Sequence, residues 1–341
     1  MDATRVLVTG ASGFIAKHIV LQLVEAGYRV RGTVRRDAKA EEVSGMLRRH
    51  GGDAALFEPH LADLTSDAGW DEAMIGCDLL VHTASPFPRS QPREKFGLVD
   101  VARGGTVRVV GAAVRAGVSR VVLTSSIASI VYGHPGRGER WFGEADVSNV
   151  ESSDISPYAV SKTLAERAAW EAVDGTRTEL TTINPSLVFG PLLDRTMGTS
   201  VQLIAMMMSG RLPVLPDVTF GIVDVRDVAA AHVAALTASK AAGRRLVVSA
   251  EERSLLDIAR QVAEGHPAFA GRVPRRRLPT WAVKAAAVVS PPARMLAAEL
   301  GRTKRLETAP AREILGLAFR SGDEAIDAAA SSLLAEGLVT P

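Results

Sequence analysis

The chain has 341 residues, of which 47% are hydrophobic and 5% aromatic, with a formal net charge of +2. That length buries a large core, and the low aromatic content suits helices packed on a parallel sheet. The near-balanced charge argues against nucleic acid or an anionic membrane as partner, and the run Arg275-Arg276-Arg277 is too short to overturn this.

Residues 5–9 predict a short buried strand, 10–16 a glycine-rich turn, and 17–26 a helix ending at Gly27. Gly10 permits the tight turn. Gly13 removes the Cβ that would block a pyrophosphate approaching the amides of the helix N-terminus, with Ser12, Phe14 and Ile15 beside it. The third glycine position of such turns holds Ala16, where one methyl is tolerable between helix and strand. The second strand, 28–34, ends where a doubly wound nucleotide fold meets the adenosine ribose. An acidic residue there would hold a 2′-hydroxyl; Arg35-Arg36 instead suits a 2′-phosphate and tilts the cofactor toward NADP (NADPH). Arg35 is the first choice for that contact. Arg36 and Lys39 read equally as further contacts or as a solvated basic loop.

A third strand is expected over 53–58, a helix over 66–75 and a fourth strand over 78–82. Asp63, next to Leu64, is either an acceptor for the adenine amino group or a helix cap. Thr83-Ala84-Ser85-Pro86 follows the fourth strand at its carboxyl end, where small residues let a dinucleotide pass close by. A helical region over 93–116 leads to a fifth strand, 120–124, which brings the hydroxyls of Thr124, Ser125 and Ser126 to the same edge.

Tyr158 and Lys162 then carry the chemistry. A Tyr-x-x-x-Lys spacing inside a helix puts a phenol and an ammonium on one face, where the cation can tune the phenol's acidity. The bland alternative is a tyrosine anchoring the helix start and a lysine lying over apolar surface. A sixth strand, 180–184, precedes Pro185; beyond Gly190 the chain is expected to build a second lobe, helical over 199–209 and extended over 212–218. Residues 244–249 predict a last strand of the main sheet, and 254–338 helices with short turns. Met206, Met207 and Met208 read as core filler, and His134 and His232 as surface or capping residues rather than metal ligands; no metal is expected.

Cys77 is the only cysteine, expected buried, so no intrachain disulfide framework exists and a reducing, cytoplasmic compartment is expected. The first strand begins close to Met1, so no signal peptide is expected, and 281–300, with Lys284, Arg294 and two prolines, is a poor membrane span.

Taken together, these segments resemble the extended short-chain dehydrogenase/reductases, and within them the dihydroflavonol reductase and bacterial aldehyde/ketone reductase branch. The residues carrying the likeness are 8–15, 32–35, 62–64, 82–86, 124–126, 158–166 and 184–191; beyond about Ala250 it is loose. The resemblance implies an α/β fold with a doubly wound (Rossmann) parallel sheet and a smaller, mostly helical substrate lobe. It places the NADP-binding domain at 1–190 with about 220–250, and the lobe at 191–219 with about 251–341; residues 222–232 resemble the family's return segment.

The same resemblance implies a catalytic Ser126, Tyr158 and Lys162, with Ser125 the alternative serine. Ser126 would hydrogen-bond the carbonyl oxygen as charge develops, Tyr158 would supply the proton, and Lys162 would also hold the nicotinamide ribose. Backbone amides at Leu187 or Val188, after Pro185, would face the carboxamide. Candidate pocket walls are Phe87, Ile127, Tyr132, Leu192, Met206 and Phe220, whose apolar character favours hydrophobic or aromatic carbonyl compounds. The expected protein is an NADPH-dependent reductase of aldehydes, ketones or α-dicarbonyls, monomeric or homodimeric. The rival readings are an NAD-dependent sugar-nucleotide epimerase or dehydratase and a non-catalytic dinucleotide sensor.

Overall fold

The computed structural model describes residues 4–85, 94–288 and 290–341. The first part alternates strand and helix: β1 (Arg5–Thr9), α1 (Phe14–Glu25), β2 (Arg29–Val34), α2 (Asp37–Arg49), β3 (Phe57–Leu61), α3 (Trp70–Met74), β4 (Leu79–His82), α4 (Val99–Arg115) and β5 (Arg120–Thr124). Next come β6 (Gly138–Phe142), α5 (Pro157–Val173), β7 (Glu179–Pro185), β8 (Leu187–Phe189), α6 (Thr199–Met208), β9 (Leu215–Pro216), β10 (Thr219–Asp224), α7 (Val225–Ala235) and β11 (Arg245–Val248). The remainder forms β12 (Glu251–Ser254), α8 (Leu255–Gly265), β13 (Arg277–Leu278), α9 (Thr280–Ala287), α10 (Pro291–Glu299), β14 (Arg302–Leu306), α11 (Ala309–Leu315) and α12 (Gly322–Ala335).

Seven strands pair in the order β11-β7-β5-β4-β1-β2-β3, all parallel. This is the doubly wound α/β fold expected from the alternation. Its central strands are buried because helices cover both faces: Ile19, Leu23 and Val228 pack on one side, Val109, Ala113 and Ala169 on the other. The order reverses between β1 and β4, and their registered ends, Thr9 beside His82, open the crevice where such sheets bind ligands.

A second sheet, β12-β10-β8, is mixed, with β8 parallel and β12 antiparallel to β10. It packs with α6, α8 and α12 around Phe189, Ile204, Ile222, Ile258 and Ile326. No helix among the described residues is long and apolar enough to cross a membrane.

Several expected elements are displaced, each for a local reason. The third strand starts at Phe57 rather than 53, because the Asp53 carboxylate accepts from the Ala55 amide at 2.9 Å and holds Ala54–Leu56 in a helical turn. It runs on through Pro59, which an edge strand tolerates. The helix expected over 66–75 shrinks to α3, which starts only after the left-handed Gly69. The extended 212–218 keeps only β9, and the helices expected over 254–338 are interrupted by β13 and β14. Those strands are polar, and their ladders come from distant partners: β14 pairs in parallel with β6, a strand the periodicity does not reveal.

Candidate functional site

The turn between β1 and α1 is shaped by backbone. Gly10 has φ +63°, and a Cβ there would lie 3.1 Å from Ala84 Cα, so a side chain would be strained and would press the end of β4. Gly13 is the N-cap of α1; no side chain caps it and no acidic residue sits in the first turn, so this N-terminus suits an anion. Ser12 and Ile15 are half-buried and the Phe14 ring meets His18 edge-on. The Ala16 methyl is buried between α1 and the sheet, as the relaxed glycine pattern requires. These residues fit a dinucleotide pyrophosphate.

Around the adenosine end, Arg35 is exposed just beyond β2 with no acidic residue in its place. Lys39 is paired with Glu42 at 2.7 Å on its own helix. Asp63 accepts from the Thr65 amide at 2.8 Å and hydroxyl at 2.7 Å, closing a local turn that caps no helix, since α3 starts only at Trp70. Those bonds, with a smaller contribution from the Arg35 charge, hold its carboxyl below the usual range. Leu64 packs where a Cβ on Gly105 would stand. At the end of β4 the Thr83 and Ala84 amides donate to Thr9 Oγ1 at 3.1 and 3.0 Å, which fixes the Thr83–Ser85 segment against β1. Phe87 lies outside the described residues.

Helix α5 presents the phenol and the ammonium. Ser156 caps it by accepting from the Ala159 amide at 3.1 Å and Pro157 takes the first helical position, which puts Tyr158 in the first turn and Lys162 one turn later. The Ser126 hydroxyl stands beside the Tyr158 phenol, near enough to favour its ionised form. Ser126 stands at the head of a short helical turn after β5, where its Oγ also accepts from the Ala128 amide at 3.1 Å. The buried Lys162 donates to the Thr124 carbonyl at 3.1 Å. Pro185, Leu187 and Val188 lie at the adjacent edge, Leu187 and Val188 in register with Ile222 and Val223 of β10.

The electrostatics depart from one expectation. Burial raises the Tyr158 phenol above its ordinary range, opposed by the Ser126 hydroxyl; the lowering expected from Lys162 does not appear. The phenol therefore stays protonated, as a donor must. Burial brings Lys162 down to about 8, opposed by the Glu166 charge. His82 is held neutral by burial and then by the Lys162 charge, at about 3.

The remaining pocket candidates separate. Ile127, Tyr132 and Tyr158 pack around the segment after β5, and the Lys304 ammonium sits 3.7 Å from the centre of the Tyr132 ring. Leu192 and Phe220 belong to the lobe's apolar cluster. Met206, by contrast, is 36% exposed on α6, while Ile204, Met207 and Met208 are buried. Two residues past Ile204 is about 200° round a helix, so core-facing is the wrong reading for it. His232, expected in a surface or capping role, is fully buried in the last turn of α7 and bonds Thr124 Oγ1 at 2.7 Å and the Val228 carbonyl at 2.8 Å. Cys77 is buried, as expected.

Glu166, Ser129, Asn184 and Arg245 had no role assigned from sequence. The buried Glu166 carboxylate accepts from Ser125 Oγ, from Ser129 Oγ at 2.7 Å, from Asn184 Nδ2 at 2.8 Å and from Arg245 Nε at 2.5 Å. Asn184 Nδ2 also lies 3.2 Å from the Ser126 carbonyl. Ser125 is thereby turned toward the carboxylate, and Ser126 is the serine beside the phenol. The signal was present: Glu166 is four residues past Lys162, hence on its face of α5.

A doubly wound sheet with a glycine turn, a Tyr-x-x-x-Lys helix and a serine at one edge defines a dinucleotide-dependent class of protein. The sequence profile of the NAD dependent epimerase/dehydratase family matches residues 6–249, and the chain belongs to that family. This bears out the likeness to extended short-chain dehydrogenase/reductases.

Among its relatives is cinnamoyl-CoA reductase CAD2 of Medicago truncatula, 38% identical over 71% of this chain and 75% of that one. Another is the NADPH-dependent methylglyoxal reductase GRE2 of Saccharomyces cerevisiae, 30% identical over 96% and 98%. The fold superposes on the crystal structure of yeast methylglyoxal/isovaleraldehyde reductase Gre2 complexed with NADPH, with a TM-score of 0.81 and 29% identity over 98% of this chain and all of that one.

Proposed function

We propose that this protein is an NADPH-dependent reductase that converts a small aldehyde, ketone or α-dicarbonyl compound to an alcohol, with Tyr158 as proton donor. The observation that carries the reading is the placing of Tyr158 beside Ser126, with Lys162 one turn away on the same helix and bonded to the Thr124 carbonyl, at the sheet edge that also bears the Gly10–Gly13 turn. The relatives named as reductases, and the neighbour crystallised with NADPH, support it.

When bound, NADPH supplies the hydride. The α1 N-terminus and Arg35 bind its phosphates, and the Lys162 ammonium holds its nicotinamide ribose. A backbone amide at Leu187 or Val188 orients the carboxamide. Ser126 donates to the substrate oxygen and stabilises the charge that develops there. Tyr158 passes its proton to that oxygen, and the charged Lys162 favours the phenolate left behind. Residues 1–190 with about 220–250 hold the cofactor, and 191–219 with about 251–341 close the pocket around the carbonyl compound.

The test follows NADPH oxidation over small dicarbonyls, benzaldehydes, aryl ketones and flavonoid-like compounds. Turnover with at least one class is expected, and Lys162→Met lowers kcat and weakens NADPH binding together. Tightly retained NAD with no NADPH consumption would instead point to an epimerase, and NADPH binding without turnover to a sensor.

A further inference from the structure

Glu166 is buried in a place where a carboxylate is costly. Desolvating a charge is repaid only by close partners, and replacing such an ion pair with apolar side chains is often neutral for stability. The arrangement of its partners points to a use. The four arrive from three parts of the fold: Ser125 and Ser129 from the segment after β5, Asn184 from β7, and Arg245 from β11. Arg245 is itself held by the carbonyls of Glu144 and Asp146, each at 2.6 Å. Three of the four partners flank or touch Ser126. Ser125 precedes it, Ser129 Oγ lies 2.8 Å from its carbonyl, and Asn184 Nδ2 lies 3.2 Å from the same oxygen. The two protons of that amide can span both the Glu166 carboxylate and the Ser126 carbonyl.

We propose that Glu166 is a positioning residue of the reductase site: it fixes Ser126 through Ser125, Ser129 and Asn184, and supplies the counter-charge to the Lys162 ammonium. The assignment rests on the reading of Ser126 and Lys162 given under Proposed function. Around that ammonium stand Glu166 and Tyr158 on its own helix, His82 on β4 and His232, reached through Thr124, on α7. Burial keeps both histidines neutral and the phenol protonated. Glu166 is therefore the negative charge among them, and Arg245 faces it from β11.

The experiment compares wild type, Glu166→Gln, Glu166→Asp and Asn184→Ala, reading NADPH affinity by fluorescence against pH and kcat on a reduced carbonyl compound. Without the negative charge, Lys162 loses its proton at lower pH, so the alkaline loss of NADPH affinity moves down by about one unit in Glu166→Gln. Glu166→Asp keeps the charge and restores the wild-type limb, while both variants lose about tenfold or more in kcat as Ser126 loosens. Asn184→Ala breaks the tie to Ser126 and leaves the charge, so its kcat falls with the limb unmoved; it carries the test if Glu166→Gln does not fold. An unshifted limb in Glu166→Gln, or kcat within about twofold of wild type in both Asn184→Ala and Glu166→Asp, overturns the proposal. The affinity titration needs no carbonyl turnover. If wild type reduces nothing, the reductase reading fails while the titration still decides whether Glu166 acts on Lys162.

Discussion

The central strands of the seven-stranded sheet and the strands of the smaller sheets are buried differently. β4 and β5 are buried at every residue, whereas β12 has no fully buried residue and β6 and β14 are buried only at their last. Apolar packing between helix layers holds the first set. The second is laced by charge: Arg305 reaches Glu139 at 3.1 Å and Glu252 at 3.0 Å, Arg302 reaches Asp154 at 3.4 Å, and Lys304 pairs with Glu299. The more exposed of these pairs, such as Arg305 with Glu139, contribute little each, whereas Lys304 and Glu299 are largely buried. On the proposed function, the difference suggests a division of labour: the apolar-packed sheet edge would place the reacting groups, and the charge-laced lobe would shape what reaches them.

Substitutions at the sheet edge should therefore strike kcat, with the largest effect at the phenol. Tyr158→Phe removes the proton donor while keeping the ring's packing, and kcat should fall by about 10²–10⁴-fold with NADPH affinity retained. Steady-state kinetics beside a binding titration check this; loss of binding with kcat preserved would break the division.

The junction between the two regions gives the next effect. Lys17, buried on α1, pairs with Asp194 and reaches Thr196 Oγ1 at 2.8 Å, fastening the segment after β8 to the main domain. Lys17→Met strands a carboxylate that is 15% exposed and also accepts from the Thr196 amide at 2.9 Å. The cost is expected at about 2 kcal/mol, below the 3–5 kcal/mol for a fully buried pair, and denaturant unfolding measures it.

What could be read from sequence follows the same boundary. β1, β5, the glycine turn and the Tyr158–Lys162 helix were legible because apolar runs, cap residues and fixed spacings are local signals. β6 and β14 were not, since Gly-Glu-Arg-Trp-Phe and Arg-Thr-Lys-Arg-Leu carry no alternation, and their pairing spans about half the chain. Ser126 was placed by family likeness, but the reason Ser125 is excluded, its bond to Glu166, is tertiary. His232 failed for a related reason: burial of an imidazole depends on Thr124, more than a hundred residues away in sequence.

Those buried imidazoles belong to the apolar-packed region and set its acid limit. His82 and His232 are held at about 3 and about 4, chiefly by burial, against an ordinary value of 6.5. The unfolded chain binds protons at these positions first, so stability is full above about pH 6.5 and falls as pH drops toward 4. Thermal unfolding should show Tm declining over that window; a Tm that stays flat would mean the imidazoles accept protons without unfolding.

The smallest expected effect is at Met206, and it separates the two regions most sharply. Its neighbours Met207 and Met208 fill the lobe core, where truncation to alanine should cost about 2–5 kcal/mol. Met206 lies on the outer side of the same helix, so Met206→Ala should change stability by no more than about 0.5 kcal/mol and leave KM for the carbonyl compound unaltered. A raised KM in that variant would mean that α6 turns or shifts when substrate binds, bringing its outer face into the pocket. The lobe would then adapt by moving a whole helix rather than by repacking side chains around a fixed one.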